Sequence, residues 1–266
     1  MKRFTSILVT CLIILGLAVS PSAAGKIDFS GTTEFDISVA LNTNDVYRGS
    51  YTVAAVGNYL AYSHANPAVQ AVNWGGSSAS AATADMAAAN SYEASTGKYA
   101  TQAALQGLVN GFLSQFSENR LDLYFYLTGG TYTFTVNVPT WQRTYSWDQT
   151  VGQPLVEAGW YSNLYAKLVH QDDISQTPVI EKEINLVVVN HFENTFPGLQ
   201  GLQSLGGTNA SLTLEDVTIP AGFYTLYLAD YMTQYGVTAV PLPSTLLLLG
   251  SGLLALVSRM RRPSRR

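Results

Sequence analysis

Apolar and polar residues alternate over several short stretches of the chain. In residues 34–41, Phe35, Ile37, Val39 and Leu41 alternate with polar or small residues. This two-residue period is that of a β-strand with one face towards solvent. Similar stretches predict further strands at 164–170, 184–191, 210–219 and 223–229.

A β-hairpin is predicted near the middle of the chain. Apolar residues alternate through 121–127 and again through 132–138, and Pro139 is expected to end the second strand. Gly129 and Gly130 lie between the two stretches and can adopt the positive φ angles of a tight turn.

One segment has a helical period instead. Six apolar residues fall at i, i+3, i+4, i+7, i+8 and i+11, on one stripe of a helix: Leu105, Leu108, Val109, Phe112, Leu113 and Phe116. We therefore predict an amphipathic helix at about 98–118, capped by Ser95 or Thr96 and closed by Asn119. The small-residue stretch 75–90 is compatible with a flexible loop or with the start of an Ala-rich helix.

Short strands, frequent turn residues and a single helix favour a mainly β fold. We expect an antiparallel β-sandwich with the amphipathic helix covering part of it.

The first 24 residues have the three parts of a secretory signal peptide. Two basic residues precede an apolar run at 7–19, and Ser22 and Ala24 supply the small residues of a cleavage site before Gly25. The only cysteine, Cys11, lies in this segment. The mature chain is therefore expected to contain no disulfide.

Charge is distributed unevenly along the chain. The formal net charge is −4, from 14 basic and 18 acidic residues. All 18 acidic residues but only seven basic ones lie within 25–239, which gives that region a net charge of −11. Such an acidic region argues against nucleic acid as a partner.

Local motifs of catalysis or metal binding are absent from the sequence. The three histidines, His64, His170 and His191, are far apart, and none has a zinc-binding spacing. Neither a nucleophile motif nor a phosphate-binding loop is found. We therefore predict no enzymatic activity, no metal and no cofactor. The alternative is an extracellular hydrolase with a site assembled from distant residues.

Calcium is a separate alternative. Residues 42–46, Asn-Thr-Asn-Asp-Val, concentrate oxygen ligands in a predicted turn. Hard cations take ligands of this type, although Asn and Asp in turns usually bond the backbone of the turn itself.

Aromatic residues are dense between residues 141 and 161. Trp141, Tyr145, Trp147 and Trp160 are interspersed with amide and charged residues. Flat rings beside hydrogen-bonding groups suit a glycan-binding surface. Aromatic residues are equally typical of a sandwich core, so the sequence leaves both interpretations open.

The C-terminal segment 240–266 has three parts in order. A motif of Val240, Pro241, Leu242, Pro243 and Ser244 precedes an apolar run at 245–258, and a basic cluster that includes Arg259, Arg261 and Arg262 follows. As a helix the apolar run would be about 21 Å long, against a bilayer hydrocarbon core of about 30 Å. Arginines after such a run hold that end in the cytoplasm. We predict a short transmembrane helix at 245–258 and a basic stop at 259–266.

These three parts resemble the PEP-CTERM sorting signal, in a variant with Val-Pro-Leu-Pro where Pro-Glu-Pro is usual. The resemblance implies an exported protein of a Gram-negative bacterium that an exosortase-type enzyme processes near 240–244. It also implies transient anchoring in the inner membrane, followed by release to the cell surface or extracellular matrix. Proteins with this signal are associated with biofilm and exopolysaccharide. The resemblance covers the tail only.

The sequence therefore predicts three segments: a signal peptide at 1–24, an exported β-rich domain at 25–239 and a sorting tail at 240–266. The expected function is structural or adhesive. Glycan binding through the aromatic segment, with exopolysaccharide as partner, is the main alternative.

Overall fold

The computed structural model describes residues 25–58, 69–74, 78–150, 154–172 and 177–238. Apolar and polar residues alternate along most of this chain, and the elements that form are strands. The described residues form thirteen of them: β1 Gly25–Val39, β2 Val46–Asn58, β3 Val69–Trp74, β4 Ser78–Ala82, β5 Met86–Glu93, β6 Lys98–Val109, β7 Phe112–Leu127, β8 Gly130–Asp148, β9 Leu155–His170, β10 Pro178–Phe192, β11 Gln200–Ser211, β12 Leu214–Ile219 and β13 Gly222–Thr238.

The strands form two antiparallel sheets. Sheet A has the order β11-β8-β1-β6-β5-β4, and β12 also pairs with β8. Sheet B has the order β10-β9-β13-β7-β2-β3. The predicted mainly β fold with antiparallel sheets is confirmed.

Apolar side chains between the sheets form two clusters. One contains Leu123, Phe134 and Leu226, and the other contains Leu105 and Trp160. Along β8 and β13, buried polar residues separate the two clusters. The first strand prediction fits this pattern, because Phe35 and Ile37 of β1 are buried and their neighbours Asp36 and Ser38 are exposed.

The predicted covering helix at 98–118 is wrong. These residues form β6, a turn at Asn110 and Gly111, and the first part of β7. Gly111 has a φ of 81°, which suits a glycine in a turn. The apolar stripe is divided by the turn, so Leu105 and Val109 point inwards while Leu108 and Phe112 are exposed.

For residues 78–90, the described part of the small-residue stretch, both interpretations are also wrong. Within it, β4 and the first half of β5 pair as antiparallel strands. Ala79, Ala81 and Ala88 are buried in the second apolar cluster. Small side chains suit this position because β4 and β5 pack against β2 of the other sheet.

The two strands of the predicted hairpin are present, but they do not pair with each other. β7 belongs to sheet B and β8 to sheet A, so the turn at Gly129 and Gly130 carries the chain from one sheet to the other. Pro139 does not end β8. It lies opposite a register shift between Glu34 and Asp36 of β1, where a residue without an N–H is tolerated.

The predicted signal peptide, the sorting motif and the transmembrane helix at 245–258 lie outside the described residues. The part of the chain that the structure describes contains no helix long and apolar enough to span a membrane.

Candidate functional site

The predicted aromatic segment is largely interior. Tyr145, Trp147 and Trp160 lie in the second apolar cluster, and Trp160 is 0% exposed. Trp160 Nε1 donates to the Asp28 carbonyl over 3.2 Å, and Trp147 Nε1 donates to the Gly198 carbonyl over 3.3 Å. Both indole N–H groups are therefore used within the fold.

Trp141 differs from the other three, because it is half-buried at the margin of the first apolar cluster. Its ring lies against Gly207 of the neighbouring strand β11, where an added Cβ would be 2.5 Å from Trp141 Nε1.

A ring that is enclosed between two sheets cannot stack on a sugar. The geometry therefore speaks against a glycan-binding face built from Tyr145, Trp147 and Trp160.

The candidate calcium turn uses its carboxylate within the fold. Asp45 accepts hydrogen bonds from the backbone N–H of Asn42 at 2.6 Å, from the backbone N–H and hydroxyl of Thr128 at 2.7 and 2.8 Å, and from the Tyr132 hydroxyl at 3.0 Å. Burial raises the pKa of Asp45, but these hydrogen bonds outweigh it and the pKa is lowered. Across the described ranges, no three His, Cys, Asp or Glu side chains meet as a potential metal site.

A buried ion pair joins the two sheets. Arg143 of β8 contacts Asp230 of β13 through Nη2 and Oδ1, 2.6 Å apart. The guanidinium also donates to the Ser162 hydroxyl at 2.8 Å, the Thr33 hydroxyl at 2.9 Å, and the Thr32 and Gln142 carbonyls. The other Asp230 oxygen accepts hydrogen bonds from Thr33 and Thr101. The pair is enclosed and fully bonded, which is typical of a structural element.

The outer face of sheet B has a different character. Eight half-buried tyrosines of β2, β7, β9 and β13 point away from the core, and we call this surface the tyrosine face: Tyr51, Tyr124, Tyr126, Tyr161, Tyr165, Tyr227, Tyr231 and Tyr235. Because side chains alternate across a strand, the inner residues of the same strands build the core while these rings cover the outside.

An ion pair lies beneath the rings near the centre of the tyrosine face. Arg120 Nε is 3.0 Å from Asp122 Oδ1, and the Asp122 side chain is fully buried. Arg120 Nη2 donates to the Tyr51 hydroxyl at 2.6 Å, and the rings of Tyr51 and Tyr124 stack 5.8 Å apart. Burial raises the pKa of Asp122 to about 6, although the Arg120 guanidinium opposes the shift.

Cationic side chains connect the tyrosines across the strands. Arg120 lies 5.6 Å from the ring centre of Tyr51 and 5.8 Å from that of Tyr227. Lys167 lies 5.1 Å from the same Tyr227 ring and 6.0 Å from that of Tyr165. The central tyrosines therefore form one continuous patch that combines rings with charged groups.

A second group of rings occupies another part of the tyrosine face. Tyr161 and Tyr235 stack 6.1 Å apart at an angle of 12°. The Tyr235 hydroxyl donates to Glu157 at 2.6 Å, and Asn190 Oδ1 accepts from both tyrosines. The hydroxyls of both tyrosines thus donate hydrogen bonds to neighbouring amide and carboxylate oxygens.

The tyrosine face is not predicted from the sequence. Its signal is visible on β13, where Tyr227, Tyr231 and Tyr235 recur every four residues and so share one face of a strand. Alternation alone does not show which face is outside, because the inner residues of these strands are also apolar. A strand with large side chains on both faces resembles a strand that is buried on both sides.

The comparison with known families concerns the tail. Residues 239–262 match the model of the PEP-CTERM protein-sorting motif. The chain carries a PEP-CTERM sorting motif. The match includes the proline motif, the apolar run and Arg259, Arg261 and Arg262. The PEP-CTERM motif implies export, a transient membrane anchor at the C-terminus and processing by an exosortase-type enzyme. No curated protein matches the chain.

Proposed function

We propose that this protein acts outside the inner membrane as a non-enzymatic structural or adhesive module, at the cell surface or in the extracellular matrix. The sorting motif supports the export route. The described residues support a structural role, because two long-stranded sheets are joined by two apolar clusters and a fully bonded ion pair. Among the described residues, the tyrosine face is an extensive surface that combines aromatic rings with charged side chains.

The tyrosine face supports a more specific proposal, in which the module binds polysaccharide. Aromatic rings pack against the C–H faces of sugars, while neighbouring polar groups bond the hydroxyls. The tyrosine face supplies both types of group, because its rings lie beside Glu157, Asn190, Arg120 and Lys167. The rings of the tyrosine face, and not the buried tryptophans, are therefore the basis for glycan binding.

The charge of the domain narrows the type of polysaccharide. Seven basic and 18 acidic residues lie between Gly25 and Thr238, and Glu118, Glu157, Glu181 and Glu183 all lie on the outer face of sheet B. Like charges at an interface repel. A neutral or amino-sugar polysaccharide is therefore the expected ligand, rather than an acidic one.

An affinity test with matched variants examines this proposal. The exported protein is titrated with a neutral polysaccharide, and the Tyr124→Ser and Tyr227→Ser variants are compared with Leu202→Ser on the outer face of sheet A. We expect each tyrosine change to weaken binding about tenfold, the equivalent of about 1.4 kcal/mol. Equal affinity of all three variants would remove the tyrosine face from the proposal.

The export route is tested separately by the intact mass of the exported protein. We expect a mass that lacks the apolar run and the basic cluster after residue 244. A mass that retains residues 245–266 would show a permanent anchor and would contradict processing.

A further inference from the structure

The last strand ends at a fixed point. Thr238, the final residue of β13, donates its backbone N–H to the Gly111 carbonyl at 2.8 Å. The Gly111 N–H in turn donates to the Thr238 hydroxyl, also at 2.8 Å. Thr238 is buried. The chain therefore leaves the sandwich from a defined place beside the β6–β7 turn, and we call this region the Thr238 end.

The sorting motif begins at the next residue. The match starts at residue 239, and the predicted apolar run starts at residue 245. A fully extended chain covers about 25 Å over residues 239–245. β13 has 17 residues, so its length is about 56 Å at the rise of a strand. While the tail is inserted, the Thr238 end therefore stays within about 25 Å of the bilayer, whereas the opposite end can lie about 56 Å further away.

Several large apolar side chains are exposed at the Thr238 end, among them Leu108, Phe112 and Phe192. Leu108 and Phe112 flank the turn that holds Thr238 and are 63% and 56% exposed, and Phe192 is 52% exposed. Phe112 pairs with Val237, Val237 with Glu157, and Glu157 with Phe192, so one outer row of sheet B carries both phenylalanines. Leu108 lies on the outer face of sheet A, where it pairs with Lys26.

We propose that the Thr238 end rests on the lipid surface of the inner membrane while the tail is inserted, with Leu108, Phe112 and Phe192 entering the interface. Apolar side chains of proteins that lie on membranes are buried about 5–10 Å deep, at the boundary of headgroups and acyl chains. The short tether holds this end at the bilayer, and lipid removes the exposed rings from water. The net charge of −11 on residues 25–239 favours a zwitterionic lipid surface, because an anionic surface would repel the domain. The proposal rests on the anchor that the sorting motif implies.

This contact would give the three side chains a role in sorting. A domain that rests on the bilayer keeps the motif at 240–244 at the height of the lipid headgroups. At that height the motif would be accessible to an exosortase-type enzyme at the membrane. After cleavage the tether is lost, and the module leaves the surface because three side chains alone bind weakly.

Site-specific fluorescence quenching tests the contact. The chain from Gly25 to Arg266 contains no cysteine, so one environment-sensitive fluorophore can be attached at Ser114→Cys, two residues from Phe112, or at Ser95→Cys, in the turn at the opposite end. The protein is reconstituted through its tail in phosphatidylcholine vesicles that contain nitroxide-labelled lipid. We expect roughly threefold stronger quenching at residue 114 than at residue 95. Equal quenching at the two sites would overturn the proposal.

A second variant separates docking from tethering. Leu108→Ser and Phe112→Ser are combined in the protein labelled at residue 114, and both positions are exposed in the fold. We expect the quenching at residue 114 to fall by about half as the Thr238 end lifts from the lipid. Unchanged quenching would show that the tether alone sets the distance, and the proposed role of these side chains would be wrong. Neither result depends on processing or on polysaccharide binding.

Discussion

Two Arg–Asp pairs in this protein have opposite surroundings. The Arg143–Asp230 pair lies between the sheets, and both side chains are at most 2% exposed. The Arg120–Asp122 pair lies on the outer face of sheet B, where Arg120 is 26% exposed and Asp122 is covered. The inner pair has hydrogen-bond partners from β1, β6 and β9, whereas the outer pair has tyrosine rings around it.

The difference separates a structural pair from a candidate binding surface. A buried pair costs much desolvation and is retained only when its geometry is good and its remaining donors and acceptors are satisfied, a condition that the Arg143–Asp230 pair meets. The outer pair instead has a carboxylate with a raised pKa beneath partly exposed rings. Perturbed carboxylates in such settings are more frequent at functional sites than elsewhere.

Removal of the inner arginine should have the largest effect. Arg143→Met leaves Asp230 buried without a partner, and we expect a loss of about 3–5 kcal/mol in the free energy of unfolding, measured by urea denaturation. The matched change Arg120→Met should cost only about 1 kcal/mol at pH 7, because the pKa of Asp122 is already about 6 and the buried carboxyl can take up a proton when its partner is removed. Equal losses for the two variants would contradict the proposed difference between the pairs.

Asp122 should give the next largest effect, visible as a pH dependence. Its pKa of about 6 in the folded protein lies above the ordinary value of 3.8. The folded state therefore binds the proton more tightly, and the contribution of this group to stability falls as pH rises from about 4 to about 6.

Asp122→Asn should remove that dependence. Relative to this variant, the parent should lose on the order of 3 kcal/mol between pH 4 and pH 7. Asp45→Asn provides a control of opposite sign, because the pKa of Asp45 is lowered and its stabilisation is lost as pH falls. Parallel pH profiles of the parent and Asp122→Asn would show that the carboxylate is not perturbed.

A smaller effect is expected where the inner pair meets the backbone of β1. A Cβ on Gly31 would lie 2.5 Å from Arg143 Cδ. Gly31→Ala should therefore cost about 1–3 kcal/mol through displacement of the guanidinium. Ser30→Ala, at the neighbouring exposed position, should stay within about 0.5 kcal/mol. Calorimetric melting of the two variants would measure the difference.

The sequence revealed where the strands lie better than it revealed which strands pair with each other. Alternation identified the strand that contains Phe35 and the one that contains Val136, since it follows from chain geometry alone. The segment around Leu108 was mistaken for a helix because an Asn–Gly turn happened to leave apolar residues at helical spacing. The exchange of sheets after Gly129 was also missed, because a two-residue turn with glycine fits both a hairpin and a crossover.

The candidate site was harder to predict than the fold. Trp147 and Trp160 were candidates for binding because of their residue type. A ring can contact a ligand only when it is exposed, and the sequence does not show burial. The four-residue spacing of Tyr227 and Tyr231 does not reveal the tyrosine face by itself, since their neighbours there belong to β2, β7 and β9 and become adjacent only through strand order. The sorting motif in the tail could be identified without tertiary structure, because its residues are consecutive in the sequence.

The proposed ligand contacts lie on the tyrosine face and not at the buried tryptophans. An NMR titration of the exported protein with a soluble fragment of a neutral polysaccharide observes both kinds of ring together and so distinguishes the two locations. We expect the ring signals of Tyr124, Tyr161 and Tyr227 to shift with ligand concentration while the indole N–H signals of Trp147 and Trp160 stay in place. Shifts of the indole signals with unchanged tyrosine rings would contradict the proposed location.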